Sequence, residues 1–306
     1  MERELAAVYG PDVKIEGLSR DSGGASRLTS AFDAVTAAGR VPLILRQTTP
    51  GAEVVTSPLA REAALMRAAR TAGVPVPEIV AEGEDFIVME RVEGETIPRR
   101  ILRAPELAQA RERLAGECGT ILAALHTIPP ATIADLPEED ELARWSGVLA
   151  ELGEPHPVLE LAFRRLELAR PAPERTVVVH GDFRNGNLIV GPDGVRAVLD
   201  WELSHLGDPL EDLGWLCAKA WRFGSASPVG GFGPYEQLVE AYERASGTTI
   251  DLEALRWWET FAGLKWAVIC VMQARRHLSG GERSVELAAL GRRVAENEWD
   301  LLHSLP

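Results

Sequence analysis

Among the 306 residues, the densest run of side chains able to do chemistry is His180-Gly181-Asp182-Phe183-Arg184-Asn185-Gly186-Asn187. It follows Val177-Val178-Val179, which reads as a buried strand, so polar side chains emerge where a strand meets a loop. Asp and Asn also favour loops simply because they bond their own backbone. The spacing asks for more. Asn187 comes five residues after Asp182, and thirteen residues further on Asp200 ends a second apolar strand. An acid, an amide and another acid at strand edges suit a base and two oxygen ligands for hard Mg2+.

The elements that must hold these residues can be read from periodicity. Val13 to Ser19, Arg27 to Val35 and Val41 to Gln47 read as strands, the last two joined by a turn at Ala38-Gly39-Arg40. Ser57 as cap and Pro58 in the first turn open a helix through Leu59, Ala63, Met66 and Ala69, which Gly73 and Pro75 end. Strands at Glu78 to Ala81 and Phe86 to Glu90 flank Gly83. Leu107 to Ile128 reads as one long helix stopped by Pro129-Pro130. Strands return at Val177 to Val179, Leu188 to Val190 and Val195 to Leu199, the last two around Pro192-Asp193-Gly194. Everything after Asp208 reads as helix, including Leu252 to His277 and Glu282 to His303. A small sheet with one helix, followed by a larger helical part, outlines a two-lobed α+β enzyme.

Composition narrows the partners. The balance of 32 basic and 46 acidic residues gives a formal net charge of −14. A chain this acidic, with no local basic patch, repels nucleic-acid phosphate and anionic lipid, so neither nucleic acid nor membrane is expected. The same acidity would suit a cationic ligand, though many soluble proteins are simply acidic. Cys118, Cys217 and Cys270 are dispersed and odd in number, which fits buried free thiols rather than a disulfide framework or metal site. Met1 to Leu5 carries no apolar secretion signal, and no stretch approaches the roughly 18 apolar residues of a membrane span. The expectation is a soluble protein of the reducing cytoplasm.

His180-Gly-Asp182 through Asn187, followed by Asp200-Trp201-Glu202 and Gly207-Asp208-Pro209-Leu210-Glu211-Asp212-Leu213, resembles the aminoglycoside phosphotransferase family. The pattern is most similar to the branch attached to some acyl-CoA dehydrogenases, within the protein-kinase-like fold. The resemblance runs from about Val13 to about His277. It implies an N-lobe over residues 1–91, with a nucleotide-binding sheet and helix, and a C-lobe over 92–306, with the catalytic loop and acceptor-binding helices. It makes Asp182 the catalytic base, with Asn187 and Asp200 holding Mg2+ against the phosphates of ATP. Arg184, two residues after the base, would neutralise charge on the γ-phosphoryl group; otherwise it is a surface residue. His180 is expected to organise its loop, and Asp208 and Asp212 to support it as a helix cap and a buttress.

The resemblance also places the N-terminal parts. Ser22, Gly23, Gly24 and Ser26, between two strands, would cover the phosphates, although two glycines alone signal only a turn. A kinase wants Lys on its third strand; here the cation is Arg46, which Glu62 on the next helix is placed to pair, unless Arg46 is merely a surface residue at a strand end. Backbone groups of Glu90 and Val92 would meet the purine, so ATP and GTP are barely separable. Trp257, Trp258, Phe261 and Trp266 read as core, with an acceptor pocket as the alternative. The expected reaction moves the γ-phosphoryl of ATP to a hydroxyl of a small molecule, either an acyl-CoA-type or a cationic compound. The alternatives are a catalytically silent nucleotide-binding scaffold and a protein kinase. The eleven residues between Asp200 and Asp212 leave no room for an activation segment, which counts against the protein kinase.

Overall fold

The computed structural model describes residues 1–21, 27–48, 58–173 and 175–305. The chain begins with α1 (Glu2–Tyr9), which the sequence patterns did not single out. Then come β1 (Lys14–Asp21), β2 (Arg27–Thr36), β3 (Gly39–Thr48), α2 (Leu59–Thr71), β4 (Ile79–Glu82) and β5 (Phe86–Glu90). The strands form one antiparallel sheet in the order β1-β2-β3-β5-β4. Ser57, the expected helix cap, lies outside the described residues, and Pro58 occupies the cap position of α2.

Strand alternation sorts the sheet's two faces. Phe32, Ala34, Leu43, Leu45 and Val88 pack with Leu5 of α1 on one side. Ile87 and Met89 belong with Ala63, Leu65 and Met66 of α2 on the other, joined by half-buried Ile44. Successive strand residues point to opposite faces, so Arg46, two residues after Ile44, is delivered to the α2 side. That parity decides what Arg46 can reach.

Beyond the sheet lie α3 (Pro98–Ile101), α4 (Ala108–Arg111), α5 (Leu114–Leu125), α6 (Glu141–Leu152) and α7 (Pro157–Leu168). The single helix expected from Leu107 to Ile128 is therefore broken, with Arg113 leading into α5. Arg111 Nη1 donates to the carbonyls of Ile101 and Ala104, and Arg113 Nη2 donates to Asp193 O, so both side chains are committed to neighbouring loops. Next come β6 (Val177–Val179), β7 (Leu188–Gly191), β8 (Gly194–Val198) and β9 (His205–Gly207). β6 pairs with β9, a strand the sequence did not suggest, and β7 with β8.

The chain closes with α8 (Pro209–Cys217), α9 (Tyr235–Ser246), α10 (Leu252–Leu278) and α11 (Val285–Ser304). The expectation of helix throughout fails at residues 223–234. Glycines 224, 230 and 231 there adopt positive φ angles, and the loop is pinned where Gly230 O accepts Asn185 Nδ2 at 2.7 Å. Trp257, Trp258 and Phe261 of α10 are buried against one another, as core residues. No helix among the described residues is long and apolar enough to cross a membrane.

Candidate active site

The His180–Asn187 loop leaves β6, whose three valines are buried. Gly181 has φ +79°, and a Cβ there would lie 2.4 Å from Leu203 O, so only glycine fits. His180 Nδ1 accepts the Asp182 N–H at 3.2 Å and Nε2 donates to Leu199 O at 3.0 Å, which ties the loop to the end of β8. Its ring packs on buried Trp201 at 4.8 Å. From α8, Asp212 accepts the N–H groups of His180 and Gly181 at 2.8 and 3.0 Å. Asp208 caps the same helix through Leu210 N at 2.8 Å. His180 is thus a loop organiser and both acids are supports.

These ties hold Asp182 in place. Its Oδ1 accepts Trp215 Nε1 at 2.7 Å and Arg184 Nε at 3.0 Å, and its Oδ2 accepts Asn187 Nδ2 at 2.7 Å. The Arg184 guanidinium also stacks over Trp221, 4.5 Å from the ring centroid. Trp221 packs against Trp215 and Trp266, so Trp266 belongs to an aromatic wall beside Arg184 rather than to the Trp257 group.

The β7–β8 hairpin brings the second acid alongside. Leu188 pairs with Val198, and the Leu199 N–H donates to Asn187 O at 2.8 Å, so Asn187 and Asp200 meet at the same hairpin end. Asp200 is left-handed, at φ 69° and ψ 65°. For a non-glycine residue this costs about 1–2 kcal/mol and marks a site where geometry outranks local comfort.

Arg46 reaches across from β3. Its Nη2 lies 3.1 Å from Asp200 Oδ1, and its Nη1 lies 3.3 Å from Glu62 Oε2. The pair expected between Arg46 and Glu62 is therefore present, and the surface alternative for Arg46 is excluded. A second cation joins it. Arg27 Nη2 bonds Glu62 Oε1 at 3.0 Å, and both of those side chains are buried. Burial pushes the Glu62 carboxyl up, and the two guanidinium groups only partly offset that. Burial also works against the charge of Arg46, but Glu62, Asp200 and Glu202 outweigh it and raise its pKa.

Two other expectations need restating. Ser22, Gly23, Gly24 and Ser26 lie outside the described residues. Glu90 ends β5, and its N–H is already donated to Glu78 O at 2.9 Å, so Glu90 has only its carbonyl to offer a purine. Val92 lies just past the strand, beyond Arg91, whose N–H goes to Pro42 O. Arg27 and Trp215 were missed, and Glu202 was read only as part of the Asp200-Trp201-Glu202 pattern, without a role. Trp215 left a signal, since it sits one helical turn after Asp212 on a capped helix and so on the same face.

Asn187 and Asp200 suit a hard cation. The Asn187 amide nitrogen is spent on Asp182, which leaves Oδ1 as an acceptor, and Asp200 contributes a carboxylate, so the oxygen donors fit Mg2+. A second cluster, Glu141, His205 and Glu211, is buried and close-packed. It is already neutralised, because Lys265 Nζ lies 2.5 Å from Glu141 and 3.4 Å from Glu211.

A two-lobed, protein-kinase-like α+β fold, with this loop and hairpin between sheet and helices, defines a phosphotransferase scaffold. A profile of the phosphotransferase enzyme family matches residues 17–258, and the chain belongs to that family. It is 29% identical over 270 residues to acyl-CoA dehydrogenase family member 10 of Mus musculus, covering 78% of this chain but 25% of that one. It is 26% identical to family member 11 of Gallus gallus, covering 79% and 35%. The chain thus spans about a quarter to a third of these relatives. Viomycin phosphotransferase of Streptomyces vinaceus is 29% identical over 163 residues, 47% of this chain and 55% of that one. Among solved structures, a protein of Ralstonia eutropha JMP134 assigned to the aminoglycoside phosphotransferases superposes with TM-score 0.75 at 25% identity, covering 100% and 99% of the two chains. The aminoglycoside phosphotransferase APH(4)-Ia, in complex with AMP-PNP and hygromycin B, has the same fold at TM-score 0.65 and 17% identity, covering 99% and 98%.

Proposed function

We propose that the chain is a small-molecule kinase that moves the γ-phosphoryl group of ATP to a hydroxyl. Residues 1–91 would form the nucleotide-binding lobe and 92–306 the catalytic and acceptor-binding lobe. The observation that carries this reading is the convergence of Asp182, Asn187 and Asp200 with an Arg46–Glu62 pair reaching in from the sheet. Asp182 receives the acceptor's proton as its oxygen bonds to phosphorus and the bond to the departing ADP breaks. Trp215 and Asn187 keep the carboxylate aimed while Arg184 exchanges its contact with Asp182 for the transferred group. Asn187 and Asp200 would hold Mg2+, which when bound neutralises phosphate charge. Arg46 would contact the phosphates, Ser22, Gly23, Gly24 and Ser26 would cover them, and the Glu90 carbonyl with Val92 would meet the purine. GTP is an open alternative nucleotide.

Kinship with the acyl-CoA dehydrogenase family members makes hydroxylated acyl compounds the first acceptors to try, and viomycin and cationic aminoglycosides the second. Three buried free thiols favour a reducing cytoplasm. The test is Mg2+-dependent nucleotide hydrolysis, with ATP and GTP side by side, followed by the acceptor panel. Asp182→Asn should cut turnover by about 100-fold or more while nucleotide still binds. A fully active Asp182→Asn variant would remove Asp182 from the mechanism. The silent scaffold draws support from the Arg in place of Lys; nucleotide binding without transfer to any acceptor would favour it.

A further inference from the structure

The carboxylates around the Arg46 guanidinium are not equivalent partners. Glu62 Oε2 faces Nη1 at 3.3 Å as an ion pair without hydrogen-bond geometry, and its other oxygen is committed to buried Arg27. The single nitrogen Nη2 stands 3.1 Å from Asp200 Oδ1 and only slightly further, 4.0 Å, from Glu202 Oε2. Nε of Arg46 is buried and has no hydrogen-bond partner among the described residues. The group is therefore hydrogen-bonded through Nη2 and held at Nη1 by charge alone, a contact about which it can pivot. Asp200 and Glu202 flank buried Trp201 in a single turn of 3-10 helix, so the two seats for Nη2 belong to one rigid piece.

A guanidinium and a divalent cation cannot share one carboxylate without repulsion. Building on the reading of Asp200 as a cation ligand, we propose that Arg46 is the resident counter-cation of Asp200 and that Glu202 receives its Nη2 when a divalent cation takes Asp200. Glu62 anchors the other nitrogen throughout. Cation binding to the nucleotide-free protein is then an exchange, and Glu202 makes it easier by giving the displaced charge a partner. Arg46 and Glu202 act here as positioning residues.

The experiment titrates Mn2+ alone, without nucleotide, and follows the free ion by electron paramagnetic resonance. Arg46→Met should bind Mn2+ about tenfold more tightly than wild type, because the competing charge is gone. Glu202→Gln should weaken binding about threefold in the wild-type background, yet change nothing within Arg46→Met, since it acts through Arg46. An equal loss in both backgrounds would make Glu202 a direct ligand and overturn the proposal. So would an unchanged affinity in Arg46→Met. Asp200→Asn tests the reading beneath: if it leaves Mn2+ affinity intact, Asp200 is no ligand and both fall; if it abolishes binding while Arg46→Met is silent, only the exchange falls. Should Arg46→Met fail to fold by circular dichroism, Arg46→Gln carries the same test with a neutral donor still facing Glu62.

Discussion

Asp212 and His180 are joined across the C-terminal lobe, the buried carboxylate of one accepting the backbone N–H of the other at 2.8 Å. The neighbouring Gly181 N–H and the His126 ring share the same carboxylate. One aspartate thereby supports the backbone that presents Asp182. Burial on its own would raise the Asp212 pKa, but the His126 hydrogen bond and the His180 N–H hold it below the ordinary range.

Asp212→Asn should therefore destabilise the fold by about 3 kcal/mol, since it trades a charged acceptor for an amide that must turn its own donors toward N–H groups. Because the folded pKa is depressed, this stabilisation is present at neutral pH and is lost as pH falls below the ordinary aspartate range. Urea unfolding of wild type and variant between pH 3 and 7 checks both, with the gap between them closing toward the acid end. A gap that stays constant with pH would mean that the carboxylate charge is not what stabilises the loop.

At the alkaline end the sign reverses. His205 donates to Glu211 at 3.1 Å beside Glu141 and Lys265. Burial opposes its charge, but Glu211 and Glu141 outweigh burial and push it up to about 9. A histidine with a raised folded pKa stabilises fully below about 6.5 and loses that contribution as pH rises toward 9. The protein should lose at most about 3 kcal/mol across that interval, and His205→Gln should flatten the profile. Thermal melts at pH 6, 7.5 and 9 decide it: parallel profiles for wild type and His205→Gln would clear His205.

Much of this frame was legible. The pattern of polar residues at 182, 187 and 200 could be read because each borders an apolar strand, Asp182 after β6, Asn187 before β7 and Asp200 after β8, and strand ends are where a chain can expose such groups. Arg46 and Glu62 were legible through the resemblance, which asks for a cation on the third strand and an acid on the next helix; strand alternation then sends Arg46 to the α2 side. Arg27 was not. Its partnership with Glu62 depends on the β2–β3 register, in which Thr29 faces Arg46, and a register is fixed by pairing rather than by either strand's own pattern. The short strand β9 was hidden for a similar reason, because His205 to Gly207 is extended only where it lies against β6. The break before α5 goes with Arg113 reaching Asp193, 80 residues on in the chain, a contact helical periodicity cannot register.

Trp215 offers a test of how the proposed base is aimed. Its Nε1 donates to Asp182 Oδ1 at 2.7 Å while its ring lies among Trp221 and Lys265. Trp215→Phe keeps most of the aromatic surface and deletes the donor. A hydrogen bond to a charged group contributes about 1.5–3 kcal/mol, so kcat should fall about tenfold or more. KM for nucleotide should stay near wild type, because among the described residues the indole's hydrogen bond and ring contacts all lie in the helical lobe. A raised KM with unchanged kcat would show that Trp215 shapes the binding site rather than aiming Asp182.

Glu62 carries two guanidinium groups in the interior, and its loss should expose how unequal they are. Glu62→Gln leaves Arg27 and Arg46 facing each other across an uncharged amide, a change expected to cost about 3–5 kcal/mol. Arg46 also faces Asp200 and is the more exposed of the two cations, its side chain 15% accessible against 4% for Arg27. Most of the cost should therefore come from Arg27, and Arg27→Met placed on top of Glu62→Gln should recover at least half of it, whereas Arg27→Met alone destabilises. A double-mutant cycle by urea denaturation measures this coupling. Additive losses would mean that Arg27 and Glu62 do not stabilise each other and that the buried carboxylate is held mainly by Arg46.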